Sequence, residues 1–484
     1  MIRLKRQLRK RLLCGILLLL VGGCSPQIKK PAMPVEISDS FSAAGTAPLP
    51  EKWWSAFEDD ELDSLIENAL TKNFDLQTAW DRLAQTEAIA RKNSAILRPQ
   101  AELEAFFKRS RQENQGLTNY SSLYTLGIAA SYEVDLWSKL RSLQNASQLD
   151  VEAGRDAVDT AAITLAASIA NTWYQLGENK VLVRIAQEQI DANKKVLDIV
   201  TVQFRKGMAS AADVLRQRQL VASTEARLIT AEETVELLQY QLSVLIGKQP
   251  VLAWRQTSID LPDLPPMPEI GIPAEVLQRR PDVRQGYRQI KAADQRLAAA
   301  VADQYPRISI LANIETSSGT SVHDLFDDWL ANLAANAIQP LFDADLRKAE
   351  VERQKAIVSE RIHIWGQTIL YALQDVEAAL TRHQQQTQLL ENLERQLSLA
   401  RQTYQQNRES YIKGKVDYIR VLESLQSLQE LERNVVRAQS TLIQSRIDLY
   451  RSIAGPFDLS RPTLAQTRNS NEAAAASENV TQDE

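Results

Sequence analysis

The sequence predicts long α-helices joined to short membrane-type β-strands, in a chain that carries one architecture twice. Three observations point there. Landmarks recur at a fixed offset: Pro99 and Pro306, Gly207 and Gly414, and Asp75-Leu76 and Asp282-Val283 are each 207 residues apart (306 − 99, 414 − 207, 282 − 75). Two long spans lack proline, from Pro99 to Pro250 and from Pro340 to Pro456. Elsewhere, apolar residues fall at alternate positions, as in Ile128, Ala130 and Tyr132. An internal repeat decides the architecture ahead of any local reading. A constant offset means two halves with no net insertion between the landmarks.

The elements follow in chain order. Arg3, Lys5, Arg6, Arg9, Lys10 and Arg11 precede a short apolar run from Leu12 to Val21. That run is too short to span a bilayer as a helix, and it reads as a secretory signal over residues 1–23. Leu20-Val21-Gly22-Gly23-Cys24 resembles the bacterial lipoprotein cleavage box. The resemblance implies cleavage before Cys24, lipid on its sulfur and an acyl chain on its new amine; an ordinary signal peptide with an incidental cysteine is the alternative. Several chains together hold far better than one. Ser25, rather than Asp, at the next position implies export to the outer membrane. Loss of six basic residues with the leader takes the net charge from −5 to −11 (−5 − 6). An anionic chain is a poor nucleic-acid binder. Two cysteines, Cys14 and Cys24, exclude a disulfide framework, and three histidines with no Cys/His pair at ligand spacing exclude ordinary zinc sites. No metal or cofactor site is expected.

Residues 24–60, rich in Pro, Ser and Ala and ending near Trp53-Trp54, read as an extended segment packed on the body. Leu62, Leu65, Ile66, Ala69 and Leu70 then fall at helical spacing. This helix is expected to run to Leu97, with a break near Asn73. The first repeat spans 61–248, a Pro-rich linker 249–272, the second repeat 273–456 and a disordered tail 457–484. Proline inside a helix costs about 3 kcal/mol, so the proline-free spans permit long helices. Residues 138–204 would extend roughly 100 Å at 1.5 Å per residue; an ordinary coiled coil is the plain alternative. Gly207 ends this helix, with Lys206 beside its carbonyl end. A second helix returns from Ala211 to Ile246. The other half repeats the hairpin, over about 345–454, with its tip at Gly414.

Strands are expected at about 100–111, 122–135, 306–317 and 330–342. Tyr124, Leu126, Ile128, Ala130, Tyr132 and Val134 alternate with small or polar residues, which is the two-residue period of a strand. Each segment is near the length that crosses a membrane as a tilted strand; a small soluble hairpin per half is the other possibility. A sheet in lipid cannot keep open edges, and single-chain barrels need about eight strands or more. Four strands therefore demand several chains. Two chains give eight strands and three give twelve; spacing does not choose between them.

Four stretches carry a family resemblance. They are Glu61 to Leu70, Leu277-Gln278-Arg279-Arg280-Pro281-Asp282-Val283-Arg284, and the two glycine turns. With these the chain resembles the outer membrane factor family, the TolC-like channels of tripartite efflux pumps, in its lipidated branch. The resemblance covers nearly all of the mature chain. It implies a homotrimer whose four strands per chain form one twelve-stranded membrane β-barrel, continued by long helices as a hollow periplasmic tube. It implies that Gly207, Met208, Ala209 and Ser210, and Lys413, Gly414, Lys415 and Val416, dock on a periplasmic adaptor protein; both glycines also serve simply to end helices. It implies a closed entrance in which Asp213 of the first hairpin bonds Tyr411 of the second. Arg420 and Glu423 occupy positions that are acidic in relatives, with Asp417 nearby, and Arg420 departs from a purely acidic ring. Asp417 is equally a helix N-cap.

No catalytic constellation is visible, so the protein is not expected to be an enzyme. The function implied is passive conduction of drugs or other toxic small molecules across the outer membrane, with an RND-type inner membrane transporter supplying energy. The alternatives are the exit duct of a type I protein secretion system and a lipid-anchored coiled-coil scaffold without a pore. Cys24→Ala is expected to abolish incorporation of labelled palmitate; persistent label would remove the anchor.

Overall fold

The computed structural model describes residues 33–114, 117–250, 261–319, 321–455, 457 and 459. The expected leader, Cys24, ten residues of the linker and nearly all of the expected tail lie outside these residues.

A short 3-10 turn, Trp53–Phe57, leads into α1 (Asp60–Lys72). Asp59 caps this helix by accepting from the Leu62 amide at 3.0 Å. Asn73 interrupts it, because its side chain accepts from the Leu76 amide and so starts α2 (Phe74–Ala95). Then come β1 (Gln100–Asn114), β2 (Leu117–Val134), α3 (Lys139–Arg205) and α4 (Ala211–Leu245). After the linker come α5 (Pro273–Arg279), α6 (Pro281–Ala302), β3 (Arg307–Ser318), β4 (Leu330–Ile338), α7 (Leu346–Ile412) and α8 (Tyr418–Ile453). Four elements of the second half begin 207 residues after their counterparts: α6 after α2, β3 after β1, α7 after α3 and α8 after α4 (281 − 74, 307 − 100, 346 − 139, 418 − 211). α3 and α7 are each 67 residues long.

The strands form one antiparallel sheet in the order β1-β2-β3-β4. Leu103 faces Ile128, Ile128 faces Ile314, and Ile314 faces Ala331, so one row of apolar side chains crosses all four strands on one face. The opposite face carries Glu104, Gly127 and Glu315 side by side. Both members of the first hairpin extend further towards their turn than the expected 111 and 122. The residues around that turn are polar and do not alternate, but the ladder runs from Gln100↔Ser131 out to Asn114↔Leu117. β4 stops at Ile338 rather than 342, since Pro340 has no amide to give a ladder.

The described chain falls into two compact units. The first contains Leu83–Gly154 and Gln285–Gly366, hence the sheet and the helix ends that meet it. Within it the Trp137 indole donates to the Pro306 carbonyl at 2.8 Å and stacks on Tyr305. Asp303 bonds both Lys139 and Arg347, the first residues of the two long helices or their neighbours, at 2.5 and 3.2 Å.

The second unit contains Val35–Arg82, Arg155–Arg284 and the described residues from Gln367 onward. Its N-terminal segment is pinned by aromatic packing: Trp53 stacks on Tyr450, Trp54 meets Phe457 edge to face, and both indoles are fully buried. Burial on this scale is worth several kcal/mol. Ala47 pairs with the linker at Pro268, and Glu377 accepts from both the amide and the hydroxyl of Ser42. Arg446 holds the linker by donating to the carbonyls of Pro265 and Pro266 at 2.6 and 2.8 Å. His383 lies 3.1 Å from that guanidinium, and burial together with the arginine's charge pushes the imidazole down to about 4. The Arg-Arg-Pro-Asp stretch is a clamp in this unit. Arg279 donates to the Ile270 carbonyl, Arg280 binds Asp282 and Asp375, and Arg284 binds the buried Asp156 at 2.7 Å. At the end of α4, Gly247 has φ +74°, and an added Cβ would stand 2.5 Å from the Lys72 carbonyl oxygen. Glycine is required there by both conformation and space.

Candidate functional site at the helical tips

The two long hairpins turn at Gly207 and Gly414, with φ +72° and +69°. Each turn closes with the same pair of backbone bonds. Gly207 donates to the Phe204 carbonyl and Met208 to that of Gln203, both at 2.9 Å. Gly414 donates to Tyr411 at 2.9 Å and Lys415 to Ser410 at 2.8 Å. This arrangement satisfies the last carbonyls of a helix and needs a left-handed residue. An added Cβ at either glycine would meet nothing within 4 Å, so conformation rather than space selects glycine here.

The residues after the turns differ between the halves. Ser210, Asp213 and Arg216 correspond at the 207-residue offset to Asp417, Arg420 and Glu423. In the first tip Ser210 is the N-cap of α4: its hydroxyl accepts from the Asp213 amide, and Asp213 accepts from the Ser210 amide at 3.0 Å. The Asp213 carboxylate also takes the Ser210 hydroxyl at 2.7 Å and faces Arg216 at 3.4 Å. This reciprocal box satisfies two amides at the helix start. In the second tip Asp417 is the N-cap of α8, but its side chain makes no capping bond. The position that could close a box holds Arg420, which has no acceptor to offer. Asp417, Arg420 and Glu423 are all exposed.

Met208 is 71% exposed, and Ala209 packs half-buried against the cluster of Val200, Val214 and Leu422. Lys413 faces Glu409 at 3.8 Å. Lys415 is exposed and Val416 half-buried. Lys206 and Lys413 are both exposed and correspond at the 207-residue offset, so the tips differ at Met208, whose counterpart is Lys415.

Tyr411 and Asp213 do not bond one another within the protomer. The Tyr411 hydroxyl donates to the Gln203 side chain of α3, and the carboxylate of Asp213 is held by its own helix start. Burial, and then the nearby Asp213 charge, raise the pKa of Tyr411, so its hydroxyl stays a donor. The expected pair is replaced by a relay. The ring of Tyr411 lies 5.6 Å from that of Tyr418, and the buried Tyr418 hydroxyl donates to Gln217 of α4 at 2.5 Å. Burial also pushes the Tyr418 pKa upward. Deeper in, Gln429 donates to Asn193 at 2.9 Å, Asn193 to Thr224 at 3.1 Å, and Gln217 to the Asn193 carbonyl at 2.8 Å. These buried amides tie α8 to the first hairpin. A satisfied polar layer inside packed helices fixes their register. Sequence reasoning passed over Gln203, Gln217, Tyr418, Asn193 and Gln429. The available signal was Asn193 standing among Ile190, Leu197 and Val200, at an inward helical position.

At the first tip the Ser210 hydroxyl and the Asp213 carboxylate are engaged with each other and with the start of α4. Among the described residues, no group of three or more His, Cys, Asp or Glu side chains could hold a metal ion. No described helix is long and apolar enough to cross a membrane.

The profile of the family described as outer membrane efflux protein matches residues 65–248 and 272–455, two spans again offset by 207 (272 − 65, 455 − 248). The pyoverdine export outer membrane protein OpmQ of Pseudomonas aeruginosa is 28% identical over 471 residues, covering 93% of this chain and 97% of that protein. The probable efflux pump outer membrane protein TtgC of Pseudomonas putida is 27% identical, over 90% of this chain and 93% of its own. Among solved structures, the outer-membrane channel OprN superposes with a TM-score of 0.84 at 23% identity, covering 90% of this chain and 99% of that one.

The exchanged residues give the tips unequal helix starts. Asp213→Ala is expected to cost α4 about 1 kcal/mol at its first turn, seen as roughly fivefold faster amide exchange at residues 211–214. Asp417→Ala should leave the start of α8 almost unchanged. Equal acceleration at both would contradict the asymmetry.

Proposed function

Since the chain belongs to the outer membrane efflux protein family, it is an outer membrane efflux channel, and we propose that it works as a homotrimer anchored by lipid at Cys24. The anchor rests on the lipoprotein-like box before Cys24, and the observation that carries the oligomer is the four-stranded sheet with an apolar face and two unpaired edges, β1 and β4. Unpaired backbone groups cost several kcal/mol each in lipid. Three copies joining β4 of one to β1 of the next remove every edge and make twelve strands, with Glu104, Thr125 and Glu315 turned to a watery interior. The long hairpins then continue the path into the periplasm.

The tips at Gly207 and Gly414 meet a periplasmic adaptor, helix against helix. An inner membrane transporter of the RND type supplies the energy, and the channel supplies a path without chemistry of its own. Export of pyoverdine and pump efflux, the roles in the names of OpmQ and TtgC, suit small molecules as cargo. At rest the entrance is held by Tyr411 and its bond to Gln203, with Tyr418 and Gln217 behind it. Asp213 serves by shaping the tip rather than by bonding Tyr411. Asp417, Arg420 and Glu423 set a mixed field at the mouth, which favours weak rather than strong charge selectivity.

Planar-bilayer recording on the purified oligomer tests the reading. Wild type should insert and conduct little at rest. Tyr411→Phe removes one hydrogen bond worth about 1 kcal/mol, so resting conductance should rise about fivefold. A protein that never conducts would defeat the channel, and an unchanged Tyr411→Phe would defeat the latch alone. Docking is tested separately: Gly207→Trp should cut cross-linking to the co-expressed adaptor at least several-fold. Wild-type yields there would remove the tips as the contact.

A further inference from the structure

The outer end of the sheet carries a feature that conduction does not use. On the apolar face, ten residue steps separate Val134 from Tyr124 on β2. At about 3.4 Å per step and a tilt near 40°, that band is about 25 Å tall. It ends in an aromatic pair, Phe107 and Tyr124, with ring centroids 4.8 Å apart. Aromatic rings at this level mark the boundary between hydrocarbon and headgroups. The next residues on the same face of β1 are Arg109 and Arg111, which pair with Ser122 and Tyr120 of β2. Both arginines are exposed. They lie at the hairpin end of the strands, remote in sequence from Val134, where the chain turns into α3. In the proposed membrane orientation this is the outer leaflet.

Arg109 is preorganised. Its guanidinium lies over the Tyr120 ring, 5.5 Å from the centroid, a contact that restrains the side chain. Arg111 faces Glu113 at 3.5 Å, but both side chains are more than half exposed, at 61% and 65%. Such a pair is worth about 1 kcal/mol or less and does not cancel the cation. Further down the same face, six residue steps or about 20 Å along β1 from Arg109, lies an apolar depression of about 380 Å³. Leu103, Ile128 and Ile314 make its floor, and Phe326 and Trp329 from the β3–β4 connection stand at its side. Those two aromatic side chains are 76% and 73% exposed. An acyl groove below a pair of arginines matches one kind of partner, a lipid with a phosphorylated headgroup.

We propose that Arg109 and Arg111 bind the phosphates of an outer-leaflet glycolipid of the lipid A type, whose acyl chain lies in the groove beside Phe326 and Trp329. The assignment rests on the membrane-barrel reading above. Planar guanidinium groups suit phosphate, giving bidentate bonds that a lysine cannot. The position commits the partner to the outer leaflet, because glycerophospholipids of the inner leaflet meet the opposite end of the band. Asp327 and Asp328 on the β3–β4 connection are the competing partners, since a neighbouring copy could bring them to these arginines.

The test uses full-length oligomer in detergent, titrated with diphosphoryl lipid A, with its dephosphorylated form and with phosphatidylglycerol. Wild type should retain diphosphoryl lipid A, and Arg109→Gln/Arg111→Gln should retain it about thirtyfold less, the worth of two basic side chains at an anionic headgroup. Equal retention by the variant would overturn the site, as would equal binding of dephosphorylated lipid A or of phosphatidylglycerol. Loss of oligomer stability in the variant with lipid retention intact would assign the arginines to Asp327 and Asp328 of a neighbour instead. Bilayer conductance of both proteins separates the two readings. If both conduct and lipid retention is equal, the channel stands and the lipid site falls. If wild type neither inserts nor conducts, both fall.

Discussion

A strand at the edge of a sheet has amides and carbonyls on one side with no partner, and hydrocarbon supplies none. β1 and β4 are both such edges. Much of the molecule is arranged around that one deficit. The apolar row Leu103, Ile128, Ile314 and Ala331 makes the sheet a membrane surface, while the row with Glu104 and Glu315 makes the other side unfit for lipid. Only closure with further copies reconciles the two faces with the open edges. Asp303 ties the starts of the two long helices together by bonding Lys139 and Arg347.

The two repeats share a frame and differ in its fittings. Both turns use glycine in the left-handed region and the same backbone bonds. Beyond the turns the halves exchange charge: an acid stands at 213 where its counterpart at 420 is basic, and a base at 216 where 423 is acidic. One helix start is closed by a capping box and the other is not. The buried amides Asn193, Gln217 and Gln429 join what the duplication made separate.

Much of this could be read from the sequence, because it depends on local period and spacing. Proline-free spans pointed to the long helices, alternation to the strands, the fourth least clearly, and the fixed offset to the twofold plan. Strand ends were less legible: the ladder reaches Asn114↔Leu117 through residues that do not alternate, since backbone pairing continues past the buried face. The partner of Tyr411 was not legible at all. Gln203 is 208 residues away in the chain, and a glutamine on a long polar helix reads as surface until its neighbour is known. Asp213 looked like the better partner because an acid attracts notice, yet its carboxylate is spent on its own helix start. The Arg-Arg-Pro-Asp stretch was easy to notice, and its work is to clamp α5 and α6 to the linker and to neighbouring helices.

Equal helices leave a trace in what the chain can become. α3 and α7 are both 67 residues long. One residue added to either would push its fingertip about 1.5 Å along the axis and swing it by about 100°. A buried amide such as Asn193 would turn away from Gln429. Descendants of this gene can therefore lengthen the tube only by matched additions in both halves, in steps near seven residues that return the same side chains inward. The length of the hairpins is thereby quantised, and changing it means altering both repeats at once.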